Sequence, residues 1–306
     1  MNQIKPKSVK KSASKIIVIT GPTASGKTAL AIKLAKKIDA EIICADSRIV
    51  YRGLDIVSAK PDIIEQDGVP HHLIDIKDPV GEPYSAGDFA NDAKAVIEKI
   101  KEKNKPVIIA GGTWFYIKCL LDEKQLPEIS ADKELRDELE KYDNDTLWNM
   151  LKKIDPARAE EIHKNNKERV IRAIEMVKTL GDSVSSAERK TNDYDSIWFS
   201  NDFIEEKNRD ALYKRIDSRV EIMVQNGLYY EWERAVKKYS RNEVLENTIG
   251  FREFFELQDG IYEDLNDAIK KIKQRTRNFA KRQITFFRSE NKINIIKNED
   301  EIIKFL

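Results

Sequence analysis

The sequence predicts an α/β protein in which helices flank a parallel β-sheet and a helical domain is inserted into the chain. Short β-branched runs alternate with helix-periodic stretches, a pattern typical of a parallel sheet. The first run, Ile16 to Ile19, leads through a glycine-bearing turn into a helix-like segment from Ala29 to Lys37. Residues 126–195 are instead charged and helix-periodic, with little strand character. These observations indicate one α/β core interrupted by helices.

Three further strands complete the predicted sheet. Glu41 to Ala45 and Val107 to Ala110 are apolar runs that precede polar or glycine-rich turns. Ile197 to Phe199 follows the insertion and is typical of a strand that returns to the sheet. We therefore assign the core to residues 16–125 and 196–306. Because ligands of such sheets bind at the carboxyl ends of the strands, the turns after these runs are the expected location of a site.

Capping and breaking residues define the main helices. Asp155-Pro156, a capping residue followed by proline, predicts a helix that runs on to a stop near Gly181 in the insertion. In the second part of the core, a break at Gly227 separates helical stretches, and a long basic helix is expected after about Asn266. Together with the strands, these helices account for most of the chain.

Composition limits the classes of function. Lys and Arg total 54 against 53 for Asp and Glu, a formal net charge of +1, so no whole-molecule attraction to nucleic acid or anionic lipid is expected. Cys44 and Cys119 form no disulfide framework, and the three histidines complete no zinc signature. Residues 1–15 are polar and lysine-rich, and we expect a disordered basic tail. Without a signal peptide or a membrane-length apolar run, we expect a cytoplasmic monomer with no membrane partner.

An eight-residue segment between the first strand and its helix matches the P-loop pattern. Its residues are Gly21, Pro22, Thr23, Ala24, Ser25, Gly26, Lys27 and Thr28. In such a loop, backbone amides face phosphate oxygens, Lys27 supplies a full charge, and the Thr28 hydroxyl can reach a magnesium ion. The segment predicts a P-loop NTPase-like core with Mg²⁺ as cofactor. It leaves open whether the ligand is a nucleotide such as ATP or another pyrophosphate, and an ordinary glycine turn is the structural alternative.

Asp46 comes directly after the second predicted strand, where side chains of an open sheet project toward the ligand crevice. Its carboxylate could bind magnesium, as in many P-loop enzymes, or act as a general base for an incoming nucleophile. An Asp-Ser turn that caps a helix is a common structural alternative. The position of Asp46 therefore predicts a functional carboxylate without fixing its role.

Segments in the same order along the chain resemble the tRNA dimethylallyltransferases. Ala45-Asp46-Ser47, followed by Tyr51 to Ile56 and Ala59-Lys60-Pro61, is similar to the second motif of that family, in which Gly-Thr often stands where this chain has Val57-Ser58. The other similar segments are Val69 to Asp75, Tyr84 to Ala86, Gly111-Gly112-Thr113 with Tyr116, Arg169 to Glu175, Ile249 to Arg252, Thr276-Arg277 and Ala280 to Gln283. The resemblance covers residues 16 to about 288. Family members often have a small or aliphatic residue where this chain has Trp114, and tryptophan where it has Phe286.

The resemblance implies prenyl transfer. The P-loop would bind the pyrophosphate of dimethylallyl pyrophosphate, with magnesium neutralising the leaving group, and the acceptor would be the exocyclic amine of the adenosine 3′ of the anticodon. By resemblance, Asp46 accepts the proton of that amine, Lys27 and Arg219 stabilise the departing charge, and Thr113 binds where the pyrophosphate meets the prenyl group. From spacing alone, Thr113 could be a helix N-cap and Arg219 a solvated helix residue.

Basic segments supply candidate contacts to RNA. Residues 271–288 carry seven Lys or Arg and no acidic residue, and we expect Ile272, Phe279 and Phe286 to pack on the core while basic residues occupy the opposite face. A plain solvated helix is the alternative. A second basic cluster lies around Arg169 in the insertion. The side chains expected to contact a tRNA anticodon stem-loop are Asp46, Ser47, Arg48, Ile49, Arg136, Arg169, Arg172, Gly250, Arg252, Arg277, Lys281 and Arg282. The target base should be flipped out of its stack to reach Asp46.

Three other functions fit part of the pattern. A P-loop kinase of a small metabolite would share the loop, the aspartate and magnesium, but it would not need the basic C-terminal helix. An adenylate isopentenyltransferase would act on a free nucleotide, and the basic insertion argues against it. An RNA-binding protein that has lost catalysis would not need to retain Lys27, Thr28, Asp46 and Thr113. Prenyl transfer to tRNA is the function that the sequence favours.

Overall fold

The computed structural model describes residues 15–121, 132–181 and 194–306, and its centre is a parallel β-sheet of six strands. The strands are β1 (Ile16–Thr20), β2 (Glu41–Cys44), β3 (His71–His72), β4 (Val107–Gly111), β5 (Ser196–Ser200) and β6 (Ile293–Ile295). They lie in the order β3-β2-β4-β1-β5-β6, and each neighbouring pair is parallel. The predicted α/β fold is therefore confirmed. The short strands β3 and β6 were not predicted, because neither forms an apolar run of its own.

Helices cover both faces of the sheet. The first part of the core contains α1 (Lys27–Ile38), α2 (Ile63–Gln66), α3 (Ala86–Glu102) and α4 (Trp114–Leu121). The insertion contains α5 (Lys133–Leu139), α6 (Asn144–Ile154), α7 (Pro156–Glu161) and α8 (Lys167–Leu180). The second part of the core contains α9 (Arg209–Gln225), α10 (Leu228–Tyr239), α11 (Glu243–Glu246), α12 (Arg252–Gln258), α13 (Leu265–Arg288) and α14 (Glu299–Ile303), with 3₁₀ turns at Asp202–Ile204 and Glu206–Asn208.

Alternate residues of the strands β1, β2, β4 and β5 enter two separate hydrophobic cores. In β1, Ile16 and Val18 pack with one cluster, which includes Phe89 of α3, while Ile17 and Ile19 pack with the other, which includes Leu34 of α1. Successive strand side chains point to opposite faces, so a strand covered on both sides must be apolar throughout. All five residues of β1 are buried. This explains why the strand appears in the sequence as an uninterrupted β-branched run.

The chain divides into two compact units, residues 1–121 with 193–306 and residues 122–192. The second unit has a hydrophobic core of its own, in which Leu147 and Leu151 of α6 pack with Val170 and Ile174 of α8. The basic tail predicted for residues 1–15 lies outside the described residues except for Lys15. None of the helices in the three described ranges has the length and apolar character that a bilayer crossing requires.

The single helix predicted from Asp155-Pro156 to Gly181 is wrong in one respect. Asp155 does cap a helix that begins at Pro156, but this helix ends at Glu161, and α8 begins separately at Lys167. Asn166 causes the restart, because its side chain accepts a hydrogen bond from the Arg169 amide as an N-cap. The predicted stop is correct, since Gly181 adopts a left-handed conformation with φ of 72° after the last turn of α8.

A buried carboxylate organises the helical unit. Glu175 of α8 is fully buried and accepts hydrogen bonds from the Asp132 amide (2.6 Å), from Nε and Nη2 of Arg136 (3.0 and 2.8 Å), and from Nη1 of Arg172 (2.5 Å). Burial raises the pKa of Glu175, but the hydrogen bonds from the two arginines outweigh it and hold the pKa below its usual value. Arg136 and Arg172 were predicted to contact tRNA, and the structure gives both a partner within the protein.

We expect Glu175→Ala to destabilise the helical unit. Two guanidinium groups lose their shared carboxylate, and because both remain partly exposed we expect a loss of about 2 to 3 kcal/mol, below the range for fully buried pairs. Denaturant unfolding of the full chain and hydrogen exchange of the α8 amides would measure it. The exposed Arg158–Glu161 pair is the matched control, and Glu161→Gln should cost less than about 1 kcal/mol.

The pH dependence provides a second test of this carboxylate. Because folding lowers the pKa of Glu175, its stabilisation is present above the unfolded pKa and is lost as the pH falls through the folded pKa. The stability difference between wild type and Glu175→Ala should therefore shrink in acid. Equal stability of the two proteins at neutral pH would contradict a structural role for this side chain.

Candidate active site at the carboxyl edge of the sheet

Three loops meet where β1, β2 and β4 end. Because β4 lies between the other two strands, the segments after Cys44, Gly111 and Thr20 are neighbours at the same edge of the sheet. These segments contain Asp46, Thr113 and the P-loop. The structure thus brings together the residues that the sequence assigned to chemistry, at the location expected for ligands of a parallel sheet.

The P-loop makes a tight turn into α1. Gly26 adopts a left-handed conformation with φ of 92°, which side chains with a Cβ rarely tolerate, and α1 begins at Lys27. The Lys27 ammonium lies back over the loop and donates to the Pro22 carbonyl at 3.3 Å. Gly26 and Thr28 are exposed at the mouth of the loop. A helix N-terminus, a lysine and an accessible hydroxyl therefore face the same opening, which suits a phosphate ligand.

The charges of Lys27, Asp46 and Arg219 act on one another in this site. Burial, and to a lesser extent the positive charge of Arg219, lowers the pKa of Lys27 to about 8 against the opposing effect of the Asp46 carboxylate. Burial likewise lowers the pKa of Arg219, while Asp46 and Glu65 raise it. Among the described residues the Arg219 guanidinium makes no hydrogen bond. Two poorly solvated cations beside one carboxylate leave a net positive site, which favours an anion.

The Asp46 carboxylate caps the turn after β2 with one oxygen and leaves the other available for chemistry. Its Oδ1 atom accepts hydrogen bonds from the amides of Arg48 (2.8 Å) and Ile49 (3.4 Å), so it caps the turn that follows β2. Within the described residues, its second carboxylate oxygen has no hydrogen-bond partner. The cap orients the carboxylate, and the remaining oxygen is available to accept a proton or to bind a cation.

Thr113 is bound to the loop after β2 and does not cap α4 with its side chain. The Thr113 amide donates to the Ala45 carbonyl at 3.1 Å, and its Oγ1 accepts from the Ser47 amide at 3.1 Å. The hydroxyl proton is therefore available to a ligand, since accepting a hydrogen bond does not use it. These two bonds fix Thr113 beside Asp46.

Two glycines allow the loops to approach this closely. A Cβ on Gly111 would lie 2.0 Å from the Ala45 carbonyl oxygen. A Cβ on Gly112 would lie 2.5 Å from Nε2 of Gln283 and 3.4 Å from Nζ of Lys27. Gly111 is thus required by space, because backbone occupies the position that a side chain would fill, whereas a side chain at Gly112 would displace the end of Gln283.

Three side chains from the second part of the core hold the P-loop, and the sequence analysis gave none of them this role. Asn201 donates to the Ser25 carbonyl at 2.6 Å, Arg215 donates through Nε to the Ala24 carbonyl at 2.9 Å, and Oε1 of Gln283 accepts from the Thr23 amide at 2.8 Å. Asn201 directly follows β5, a position that could have indicated it. Arg215 and Gln283 lie within helices, where no local pattern marks a contact with a distant loop.

The structure divides the predicted RNA-contacting cations into paired and unpaired ones. Besides Arg136 and Arg172, Arg252 contacts Glu256 (3.2 Å) and Arg277 contacts Asp217 (2.5 Å), while Arg48 donates to backbone carbonyls at Ser47 and Asn247. Arg169 and Lys281 are exposed and have no ion pair among the described residues, and exposed Arg282 lies over the Phe279 ring at 5.9 Å.

Gly250 packs closely against Val57 and does not lie on an open surface. Its φ is 103°, its amide donates to buried Glu253 at 2.6 Å, and a Cβ there would lie 2.8 Å from Cγ2 of Val57. Ser47 and Ile49 are half-buried in the turn beside Asp46. RNA contact by these three residues stays a prediction.

The predicted orientation of α13 is partly wrong. Ile272 is buried as expected, but Phe279 is only half-buried and Phe286 is 41% exposed. The buried face includes Ala280 and Phe287, one residue further along the helix. Small Ala280 lets α13 approach α9, so packing favours the stripe that starts one residue later. A seven-residue spacing alone could not distinguish the two stripes.

Two residues that depart from the family pattern contact each other. Trp114 and Phe286 are stacked, with ring centroids 5.1 Å apart and an angle of 16° between the ring planes. A large residue at the start of α4 is therefore accommodated against a smaller aromatic residue on α13. Tyr116 instead belongs to the core, where its hydroxyl donates to the Tyr84 carbonyl at 2.8 Å, and Phe115 is exposed.

Comparison with known proteins gives consistent similarities. The family model described as IPP transferase matches residues 49–290. A tRNA dimethylallyltransferase of Trichlorobacter lovleyi is 42% identical over 280 residues, which cover 90% of this chain and 91% of the relative. The structure of a tRNA isopentenylpyrophosphate transferase from Bacillus halodurans is similar with a TM-score of 0.69 at 36% identity, covering 96% of this chain and 94% of the other. A eukaryotic dimethylallyltransferase acting on tRNA gives a TM-score of 0.76 at 31% identity, over 90% and 70%.

We expect Gly111→Ala to disrupt this edge of the sheet. The added methyl group overlaps a backbone oxygen that cannot rotate away, so β2 and β4 must separate at their ends, at a cost of about 3 kcal/mol. Thermal unfolding would measure the loss. The control is Gly87→Ala in α3, where the new Cβ would make an ordinary contact with Ser85 at 3.6 Å and should stabilise the helix by about 0.5 kcal/mol. Unchanged stability of Gly111→Ala would mean that the strand ends tolerate a wider spacing.

Proposed function

This chain belongs to the IPP transferase family and prenylates tRNA, and on that premise we propose how its site performs the reaction. The donor is dimethylallyl pyrophosphate, bound through its pyrophosphate at the P-loop. The acceptor is the exocyclic amine of the adenosine 3′ of the anticodon. The similarities support prenyl transfer to tRNA over a metabolite kinase or an adenylate isopentenyltransferase.

The observation that carries the proposal is the shared electrostatics of Lys27, Asp46 and Arg219. An anionic leaving group needs cations that are poorly solvated before it arrives, and both Lys27 and Arg219 meet this requirement. A nucleophilic amine needs an acceptor for its proton, and the second oxygen of Asp46 is available within the same cluster. The P-loop holds the donor, so the reacting carbon would lie between the cations and the carboxylate.

In the proposed reaction, the amine nitrogen attacks the allylic carbon as the bond from that carbon to the pyrophosphate oxygen breaks. The leaving pyrophosphate takes the electron pair, and Lys27, Arg219 and the P-loop amides stabilise its charge. Asp46 accepts the proton that the nitrogen releases. The Thr113 hydroxyl donates to the oxygen at the junction of pyrophosphate and prenyl group. Preorganised donors of this kind contribute about 3 kcal/mol each, and a positioned base about 10²- to 10⁴-fold.

Magnesium fits this site on the chemistry of its oxygen donors. The Thr28 hydroxyl is exposed at the first turn of α1 and makes no hydrogen bond to another described residue. Mg²⁺ usually retains several waters and takes one or two protein oxygens together with substrate phosphates. No three acidic, histidine or cysteine side chains form a cage among the described residues, as this mode of binding allows. Thr28 would hold the ion, which when bound neutralises charge on the pyrophosphate.

A reaction with defined components tests the proposed donor. The protein should form prenylated adenosine when it is incubated with unmodified tRNA, dimethylallyl pyrophosphate and Mg²⁺, as measured by nucleoside mass spectrometry. ATP should be neither hydrolysed nor required, and EDTA should stop the reaction. ATP turnover that depends on a small hydroxylated metabolite, without modified tRNA, would contradict the proposal.

The Asp46→Asn variant distinguishes the proposed role of Asp46 as a general base from its role as a cap of the turn. Asparagine keeps an oxygen that can accept from the Arg48 amide but removes the basic carboxylate, so turnover should fall at least about a hundredfold while tRNA affinity and melting temperature stay nearly constant. Asp46→Ala removes both functions and should also loosen the turn. A loss of folding in the asparagine variant, or full activity, would show that capping is the only role of this side chain.

We also propose that unpaired cations of α13 contact tRNA phosphates. The double variant Lys281→Ala with Arg282→Ala should weaken binding of different tRNAs to a similar extent and reduce the slope of log affinity against log salt by about one to two units. The matched control is Lys270→Ala with Lys273→Ala on the same helix, because both lysines already pair with carboxylates. Equal effects of the two double variants would show only a general response to net charge.

A further inference from the structure

Gln283 connects two loops of the site with one side chain. It lies on α13 and is 5% exposed. Its Oε1 accepts from the Thr23 amide at 2.8 Å, and its Nε2 donates to the Gly112 carbonyl at 2.8 Å. Both ends of the amide are therefore bound, one to the P-loop and the other to the loop that carries Thr113.

The Gln283 side chain joins the two loops just beyond the end of the pairing between β1 and β4. The pairing of β1 with β4 ends at Thr20 and Gly111, whose last link is the bond from the Thr20 hydroxyl to the Gly111 carbonyl at 3.0 Å. Beyond that point the two segments continue as loops that are not paired as strands. Among the hydrogen bonds of the described residues, only those of Gln283 join residues 22–28 to residues 112–113. The Gln283 side chain therefore links the two loops beyond the ends of β1 and β4.

The two loops carry different groups of the proposed site. The P-loop carries Lys27, which faces the leaving group, whereas Thr113 is bonded to Ser47, the neighbour of Asp46. The distance between leaving group and base therefore depends on how the P-loop sits relative to Gly112. A misplacement of about 1 Å between reacting groups can cost about a hundredfold in rate.

The chemistry of the contact selects a neutral amide. Thr23 presents a backbone donor and Gly112 a backbone acceptor, so the bridging group must accept at one end and donate at the other. A carboxylate would place a second acceptor against the Gly112 carbonyl, and an ammonium would place a donor against the Thr23 amide. Space is limited as well, because a Cβ on Gly112 would lie 2.5 Å from the Gln283 nitrogen.

We propose that Gln283 is a positioning residue that sets the spacing between the pyrophosphate-binding loop and the loop that carries Thr113. It acts through these loops and touches neither substrate. The inference rests on the proposed function for the roles of the two loops. Because Gln283 directly follows Arg282 on α13, the same helix presents unpaired cations on its exposed side and fixes the P-loop with its buried side.

Two variants and a control test this role. Gln283→Met keeps the length of the side chain but removes both hydrogen bonds, and we expect kcat to fall at least about tenfold with KM for tRNA within about twofold. Gln274→Met, an exposed position on the same helix, should leave kcat unchanged. A decrease in activity that only follows a decrease in the folded fraction, measured by thermal unfolding, would overturn the proposal.

Gln283→Glu adds a readout that a purely structural role would not move. A protonated carboxyl group can still accept from Thr23 and donate to Gly112, whereas the ionised form cannot donate. The kcat of this variant relative to wild type should therefore rise as the pH falls, while the ratio for Gln283→Met stays flat. A flat ratio for both variants would overturn the proposal. Wild type that forms no prenylated adenosine would refute the proposed function instead, so the two failures are distinguishable.

Discussion

The contact between Gly111 and the carbonyl of Ala45 is the constraint on which the rest of the site depends. Because no side chain separates the two backbones, the loop after β4 lies directly against the loop after β2. The Thr113 amide can then reach Ala45 and its hydroxyl can reach Ser47. Asp46 is oriented by the same turn. A sheet of parallel strands alone would bring these residues to one edge, but only this approach places them within reach of a common ligand.

Features that arise from neighbouring residues could be predicted from the sequence, whereas contacts between residues far apart in the chain could not. Strand β1 and the P-loop could be predicted because their signals, an apolar run and a glycine pattern, lie within a few residues of one another. Thr113 was identified through resemblance, whereas Asp46 could be placed because it directly follows a predicted strand. The supports of the P-loop could not, since the contact between Thr23 and Gln283 spans 260 positions and leaves no periodic trace. Arg219 was identified only through resemblance, and its spacing on α9 would have indicated an ordinary surface residue.

Contacts between distant residues also limited what the sequence could predict about the charge of α13. The segment 271–288 has no acidic residue of its own, yet four of its seven cations have carboxylate partners supplied by other parts of the core. Asp217 and Glu221 come from α9, and Glu253 and Glu256 from α12. The net positive charge around α13 in the folded protein is therefore smaller than the sequence of the helix alone indicates. Lys271, Lys281 and Arg282 remain for an external anion, and the two exposed ones, Lys281 and Arg282, lie next to the residue that hydrogen-bonds the P-loop.

The supports of the P-loop also bear on how the protein is made. A ribosome completes Thr23 long before it reaches Asn201 and Arg215, and longer still before Gln283. Sheet pairing of β4 with β1 and β2 can form early in synthesis, but the loop between β1 and α1 must wait for α13 before its outer hydrogen bonds can close. The nascent chain therefore contains β1, β2 and β4 long before it contains the residues that complete the hydrogen bonds of its P-loop.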